Sequence, residues 1–86
     1  MPRISQFHGI AVYMYYRDHA PPHFHAIHGE HEAIVEIGTA AILQGKLARK
    51  ARARVQEWTV AHREQLERNW RLAQAGQPLE QVAPLE

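Results

Sequence analysis

The sequence predicts an α+β fold: a small antiparallel sheet of three to five strands, followed by one long or two shorter C-terminal helices packed on one face. Two observations carry this. Up to about residue 45, short runs rich in β-branched and aromatic residues are separated by Gly and Pro. From Leu47 to Ala75 the apolar spacing changes to threes and fours, with no Pro or Gly before Gly76.

Taken in order, Ile4 to Phe7 reads as a short strand ending at Gly9, and Ile10 to Tyr16 as a central strand. Pro21 and Pro22 cannot donate ladder hydrogen bonds and push their predecessors away from helix, so residues 17–22 form a connection. His23 to His28 and His31 to Ile37 are the next strands, joined by Gly29-Glu30 in the Gly-X order of a type II′ hairpin. That turn sets a register: His28 faces His31, Ala26 faces Ala33, Phe24 faces Val35 and His23 faces Glu36. Alternation then puts Phe24, Ala26, Ala33, Val35 and Ile37 on the core face. His23, His25, Ile27, Glu32, Ile34 and Glu36 share the other, a mixed surface that points to partial cover. A short extra strand is expected around Ala41–Leu43.

The helical stretch carries Leu47, Ala51, Val55, Trp58, His62, Leu66, Trp70 and Ala73 on one stripe. Gly76 sits where a helix C′ glycine belongs, with Pro78 beyond it. A single helix of some 28 residues would span about 42 Å, long for so small a sheet, and a break near Thr59–His62 is the alternative. Leu79, Val82 and Leu85 could staple the tail back onto the body.

Eighty-six residues make one domain, with the sheet in 1–45, helix in 46–76 and a tail in 77–86. A chain this short buries only a little over ~60% of its unfolded surface, so self-association or a partner is expected. The absence of cysteine excludes disulfides, thiolate zinc sites and Cys nucleophiles. No apolar run approaches a membrane span, and no signal peptide is legible at the N-terminus, so a cytoplasmic location is expected.

Three constellations could carry chemistry. The first is His19, His23, His25 and Glu36. His-x-His on a strand puts two imidazoles on one face, roughly 7 Å apart at the backbone, with His19 and Glu36 near enough to add donors. Imidazole plus carboxylate suits a divalent transition metal: Zn, Fe, Ni or Mn. Structural hydrogen bonding and metal-free acid/base chemistry are the competing readings. His28 and His31 read as turn residues, and His62 as a satisfied buried histidine. The second constellation is Lys46, Arg49, Lys50, Arg52 and Arg54, five cations in nine residues with no acid among them. They gather at a helix N-terminus, where the macrodipole disfavours them. Nucleic-acid phosphates, an acidic partner, or plain solvation are the readings. The third is Tyr13, Tyr15 and Tyr16 with Arg17, which could stack nucleobases or pack in the core.

Tyr13-Met-Tyr-Tyr-Arg-Asp-His-Ala-Pro-Pro-His-Phe-His-Ala26, then Val35-Glu-Ile, Val55-Gln-Glu-Trp58 and His62 to Trp70, resemble a small bacterial domain of unknown function, number four-one-six-zero. The resemblance covers nearly the whole chain. By motif position it implies His19, Pro21, Pro22, His23, His25, His62 and Trp70 as signature residues. His28 and His31 stand where relatives often have aromatics. It further implies a second small protein encoded alongside, in a pair often labelled toxin–antitoxin. The leading expectation is therefore an interaction component of such a pair, with nucleic acid as a further partner through the basic segment. The alternatives are a metal-dependent hydrolase or nuclease built on the histidines, or a non-catalytic histidine metal-binding module.

Overall fold

The computed structural model describes residues 2–86. Five strands form one antiparallel meander, β1 (Arg3–Phe7), β2 (Ile10–Tyr13), β3 (His23–His28), β4 (His31–Glu36) and β5 (Ile42–Gly45), each paired with the next. Two helices follow, α1 (Arg49–Ala61) and α2 (Arg63–Gln74). The α+β expectation holds, at the upper end of the strand range.

The β3–β4 register is the one the Gly29-Glu30 turn dictates: His28 pairs with His31, Ala26 with Ala33, Phe24 with Val35 and His23 with Glu36. Phe24, Ala26, Ala33, Val35 and Ile37 are accordingly buried. They join Ile4, Ile10 and Val12 from the first strands, Met14 just beyond β2, and Ala51, Val55, Trp58, Leu66 and Ala73 from the helices in one core. Trp58 is its centrepiece, with its ring 5.1 Å from Phe7 and 5.5 Å from Phe24. Its indole N–H donates to Ala83 O at 2.8 Å, so the one polar atom of the side chain is satisfied.

Strand β2 stops three residues short of the expected Tyr16. Beyond Tyr13 the chain leaves the sheet and docks on the end of α2: Arg17 takes a positive φ of 53°, and its backbone N–H donates to Ala73 O. The helical stretch divides inside the window the stripe allowed. A straight helix from Arg49 to Gln74 would run roughly 39 Å, beyond the molecule's longest dimension of 34 Å. The Thr59 hydroxyl donates to Val55 O at 2.7 Å, a back-bond that bends helices. Backbone bonds still bridge the junction, His62 N to Trp58 O and Leu66 N to His62 O, so it is a kink rather than a gap. His62 therefore departs from the expected buried position: it is half-buried at the kink, against the Trp58 ring.

The tail folds back as its apolar residues suggest. Val82 is buried and its N–H donates to Ile4 O, while Asn69, fully buried, exchanges two hydrogen bonds with the Glu80 backbone. α2 closes on Gly76 (φ 70°), whose N–H bonds Ala73 O while Gln77 N bonds Leu72 O, the doubled pattern that satisfies a helix's last carbonyls. At Gly45 the backbone has φ +80°, and a Cβ there would run into Glu32 O.

Gly45→Ala is expected to cost about 2 kcal/mol or more, since left-handed strain alone is worth ~1–2 kcal/mol for an L-residue. A urea midpoint lowered at unchanged m-value checks it; an unshifted midpoint would mean the β4–β5 approach is looser than described.

Candidate metal centre

The site forms where the β2–β3 loop crosses the start of β3. Asp18 lies in that loop, His23 opens β3, and His25 follows on the same face two residues later. Their ligand atoms all lie within 4.8 Å of one another. Small side-chain adjustments would bring all three within bonding distance of one ion, ~2.0–2.2 Å for imidazole and carboxylate donors.

Each ring is held by the nitrogen that faces away from the cluster. His23 Nδ1 is 2.7 Å from Pro21 O. A carbonyl only accepts, so Nδ1 carries a hydrogen. The other nitrogen, Nε2, faces Asp18 Oδ2 at 2.9 Å. His25 Nδ1 is 3.1 Å from Glu32 Oε2, which leaves its Nε2 turned toward Asp18 Oδ2 at 3.8 Å. That Nε2 is buried and has no hydrogen-bond partner. A buried nitrogen with neither hydrogen bond nor solvent carries a desolvation cost of about 1–3 kcal/mol. Two imidazoles thus present Nε2 to one carboxylate oxygen, each anchored behind by a carbonyl or carboxylate, as metal-ligating histidines are.

Asp18 is oriented as a one-oxygen donor. Its Oδ1 accepts the His19 backbone N–H at 2.9 Å and lies 3.0 Å from His19 Nδ1, while Oδ2 faces the His23 and His25 rings. Burial would raise its carboxyl. The His19 N–H, the His23 hydrogen bond and the charge of both imidazoles outweigh that and hold it below the ordinary value. Aromatic walls close the site: Trp70 of α2 lies 5.2 Å from the His23 ring, and Tyr15 meets His25 edge-on at 4.4 Å. Burial pushes the Tyr15 phenol up, with Glu32, Tyr13 and Asp18 adding to it.

Among the four residues the sequence nominated, the structure brings His23 and His25 together. His19 stands at the rim, its side chain 89% exposed, on the far oxygen of Asp18. Glu36 pairs with His23 along the ladder, but its carboxylate accepts from the Thr39 hydroxyl at 2.8 Å. The carboxylate in the cluster is Asp18, which sequence reasoning passed over because loop geometry has no period to read. Glu32 was legible: the predicted register already set it on the outer face, diagonal to His25. The nominated cations sit elsewhere. Lys46, Arg49, Lys50 and Arg52 are exposed and Arg54 half-buried at the start of α1.

Over residues 9–71 the chain matches the family described as Domain of unknown function (DUF4160). The chain belongs to this family. The matched span contains Asp18, His23, His25, Glu32 and Trp70, so the whole cluster and its supports fall inside the DUF4160 domain. No curated protein and no solved structure matches the chain. No helix among the described residues is long and apolar enough to cross a membrane.

A surface cleft of this DUF4160 member, about 930 Å³, runs along the α1–α2 kink past Val60, His62, Arg63 and Arg71. Its open lining is charged and shares no residue with the cluster, so size and chemistry point to different places. The convergent buried nitrogens decide for the cluster.

Because the folded Asp18 carboxyl is held low, its stabilising effect is complete above the ordinary carboxylate value, about 4. It is lost as pH falls from there through the lowered folded value. Asp18→Asn, which has nothing to titrate, is expected to flatten the acid limb of stability by up to one proton. Urea unfolding followed from pH ~5 down to ~2 reads this, and parallel slopes for the two proteins would contradict it.

Proposed function

We propose that this domain is a metal-binding protein whose centre is Asp18, His23 and His25, taking a divalent transition metal of the Zn, Fe, Ni or Mn group. The observation that carries the reading is the buried, unpartnered His25 Nε2 facing Asp18 Oδ2, with His23 Nε2 on the same oxygen. Two imidazoles and one carboxylate are the donor chemistry those ions favour. Asp18 takes the carboxylate place that the strand register offered to Glu36, and His19 stands beside it as a further imidazole at the rim.

A dication held there supplies a Lewis acid with coordination positions left over, which suits hydrolysis of esters or phosphodiesters. The chain's own residues set the conditions for it. Glu32 and Pro21 O fix the two ring orientations, the His19 N–H turns one Asp18 oxygen inward, and Trp70 keeps water from the His23 ring. Metal binding without turnover is the simpler form of the same reading.

Elemental analysis of protein purified without an affinity tag, with Co²⁺ titration of the chelated protein, tests it. One equivalent is expected for the wild type and none for the His23→Ala/His25→Ala pair. Asp18→Asn, close to isosteric, guards against a folding artefact and is expected to lose the Co²⁺ visible band. Glu32→Gln is expected to weaken binding about 10–100-fold. A wild type that takes up no metal, or an Asp18→Asn variant that binds as tightly, rejects the centre.

A second reading, association with a small neighbouring protein in a toxin–antitoxin-like pair and with copies of itself, draws on apolar surface. Leu43 is 46% exposed on the edge strand β5, and Ile27 and Ile34 are half-buried on the outer sheet face. Co-expression with the neighbouring gene's product is expected to give a complex that Ile34→Lys/Leu43→Lys disrupts. Separate elution of the two wild-type proteins counts against it.

A further inference from the structure

The nine residues from Lys46 to Arg54 hold half of the chain's basic residues and none of its acids. The chain's net charge is +1 and this segment carries +5, so the remainder carries −4. The molecule is strongly polarised, with one cationic end on an otherwise acidic body.

The structure leaves these charges uncompensated. Among the described residues, none of the five has a carboxylate within 4 Å; the one Lys or Arg ion pair is Arg68 with Glu80. Among the described residues, none of the five side chains makes a hydrogen bond to protein, whereas Arg3 and Arg63 elsewhere do. The first turn of α1 holds no acid, and Ala48 provides no side-chain cap. Cations at this helix end cost a few tenths of a kcal/mol each against the macrodipole, with no internal charge to offset them.

Placement on α1 says what kind of partner fits. Ala51, Val55 and Trp58 define the buried stripe. At 100° per residue, Arg49 points away from that stripe, Lys50 and Arg52 lie about 100° to either side of it, and Arg54 sits closer in at about 60°. The cations form a collar around the outside of the first turns. Between them lie only Ala48 and Ala53, both exposed and small, while Leu47 is turned into the core. Protein interfaces concentrate their energy in aromatic or aliphatic anchors; this collar has none. What it offers is charge, three guanidinium forks suited to paired phosphate oxygens, and small residues that let a backbone come close.

We infer that the collar Lys46, Arg49, Lys50, Arg52 and Arg54 binds the phosphate backbone of nucleic acid, without reading its sequence. The acidic remainder confines contact to this end, because a polyanion is repelled elsewhere. Charge contacts to phosphate oxygens carry no sequence information, so affinity is salt-dependent and sequence-blind. This inference stands independently of the metal centre, since no collar residue belongs to that site.

Fluorescence anisotropy with labelled 20-nucleotide single strands and the matching duplex, across a salt series and with EDTA present, tests it. The expected result is binding at low salt that falls steeply with salt, with similar affinity for unrelated sequences. Four phosphate contacts would give a log–log slope of about −3.6 on duplex and about −2.8 on single strands. Arg49→Gln/Arg52→Gln, both at exposed helical positions, is expected to cut the duplex slope by about 1.8 with the circular dichroism unchanged. Arg68→Gln/Arg71→Gln on α2 is expected to leave it alone. Absence of binding at low salt overturns the inference, as does a slope the collar variant does not move. Equal affinity for a polyglutamate peptide of matched charge would assign the collar to acidic proteins instead.

Discussion

The arrangement of this molecule turns on how the loop between β2 and β3 is tied to the C-terminal end of α2. Arg17 donates its backbone N–H to Ala73 O, Gln74 donates its side-chain amide to Asp18 O, and the Arg17 guanidinium lies against Gly76, where a side chain would collide with it. Those contacts use carbonyls and the negative end of a helix, which need donors and favour a cation in any case. Their by-product is that Asp18 is carried to the start of β3, where His23 and His25 stand. The site is thus assembled from helix end, loop and strand at once.

This coupling gives the cluster structural consequences beyond its three residues. His23 is at once a strand residue, a partner of Asp18 and a wall against Trp70 on α2. The contacts of His23 with Asp18 and with Trp70 join sheet to helix across that point. A half-buried carboxylate facing two imidazoles is costly when its groups are left unsatisfied and strong when they are satisfied together. The orphaned His25 nitrogen is where that balance is unfinished within the protein. Trp70, beside His23, is a native fluorophore placed to report on it.

The two ends of the chain's chemistry are also separated by the fold. Glu32 links them loosely: its carboxylate holds His25 while its backbone carbonyl accepts the Lys46 N–H, at the point where the sheet hands over to the basic segment. The passage is tight enough that only glycine serves at position 45. Six of the seven histidines lie on the sheet side of that passage and the five clustered cations on the other, while the acids are divided between the two.

Much of the fold was legible because it rests on local rules. Gly29-Glu30 fixed the hairpin, hence the β3–β4 register, hence which residues of both strands face the core; the stripe from Ala51 to Ala73 fixed the helical face; Gly76 fixed its end. His23 and His25 could be paired for the same reason, since alternation along one strand is a local property. The tertiary structure alone decided the carboxylate. Glu36 was across the ladder by register, yet Thr39 takes it, while Asp18 arrives from a loop whose path is set by Ala73 and Gln74, 56 residues later. No periodicity within residues 17–22 encodes that path, because the partners that determine it lie on another element.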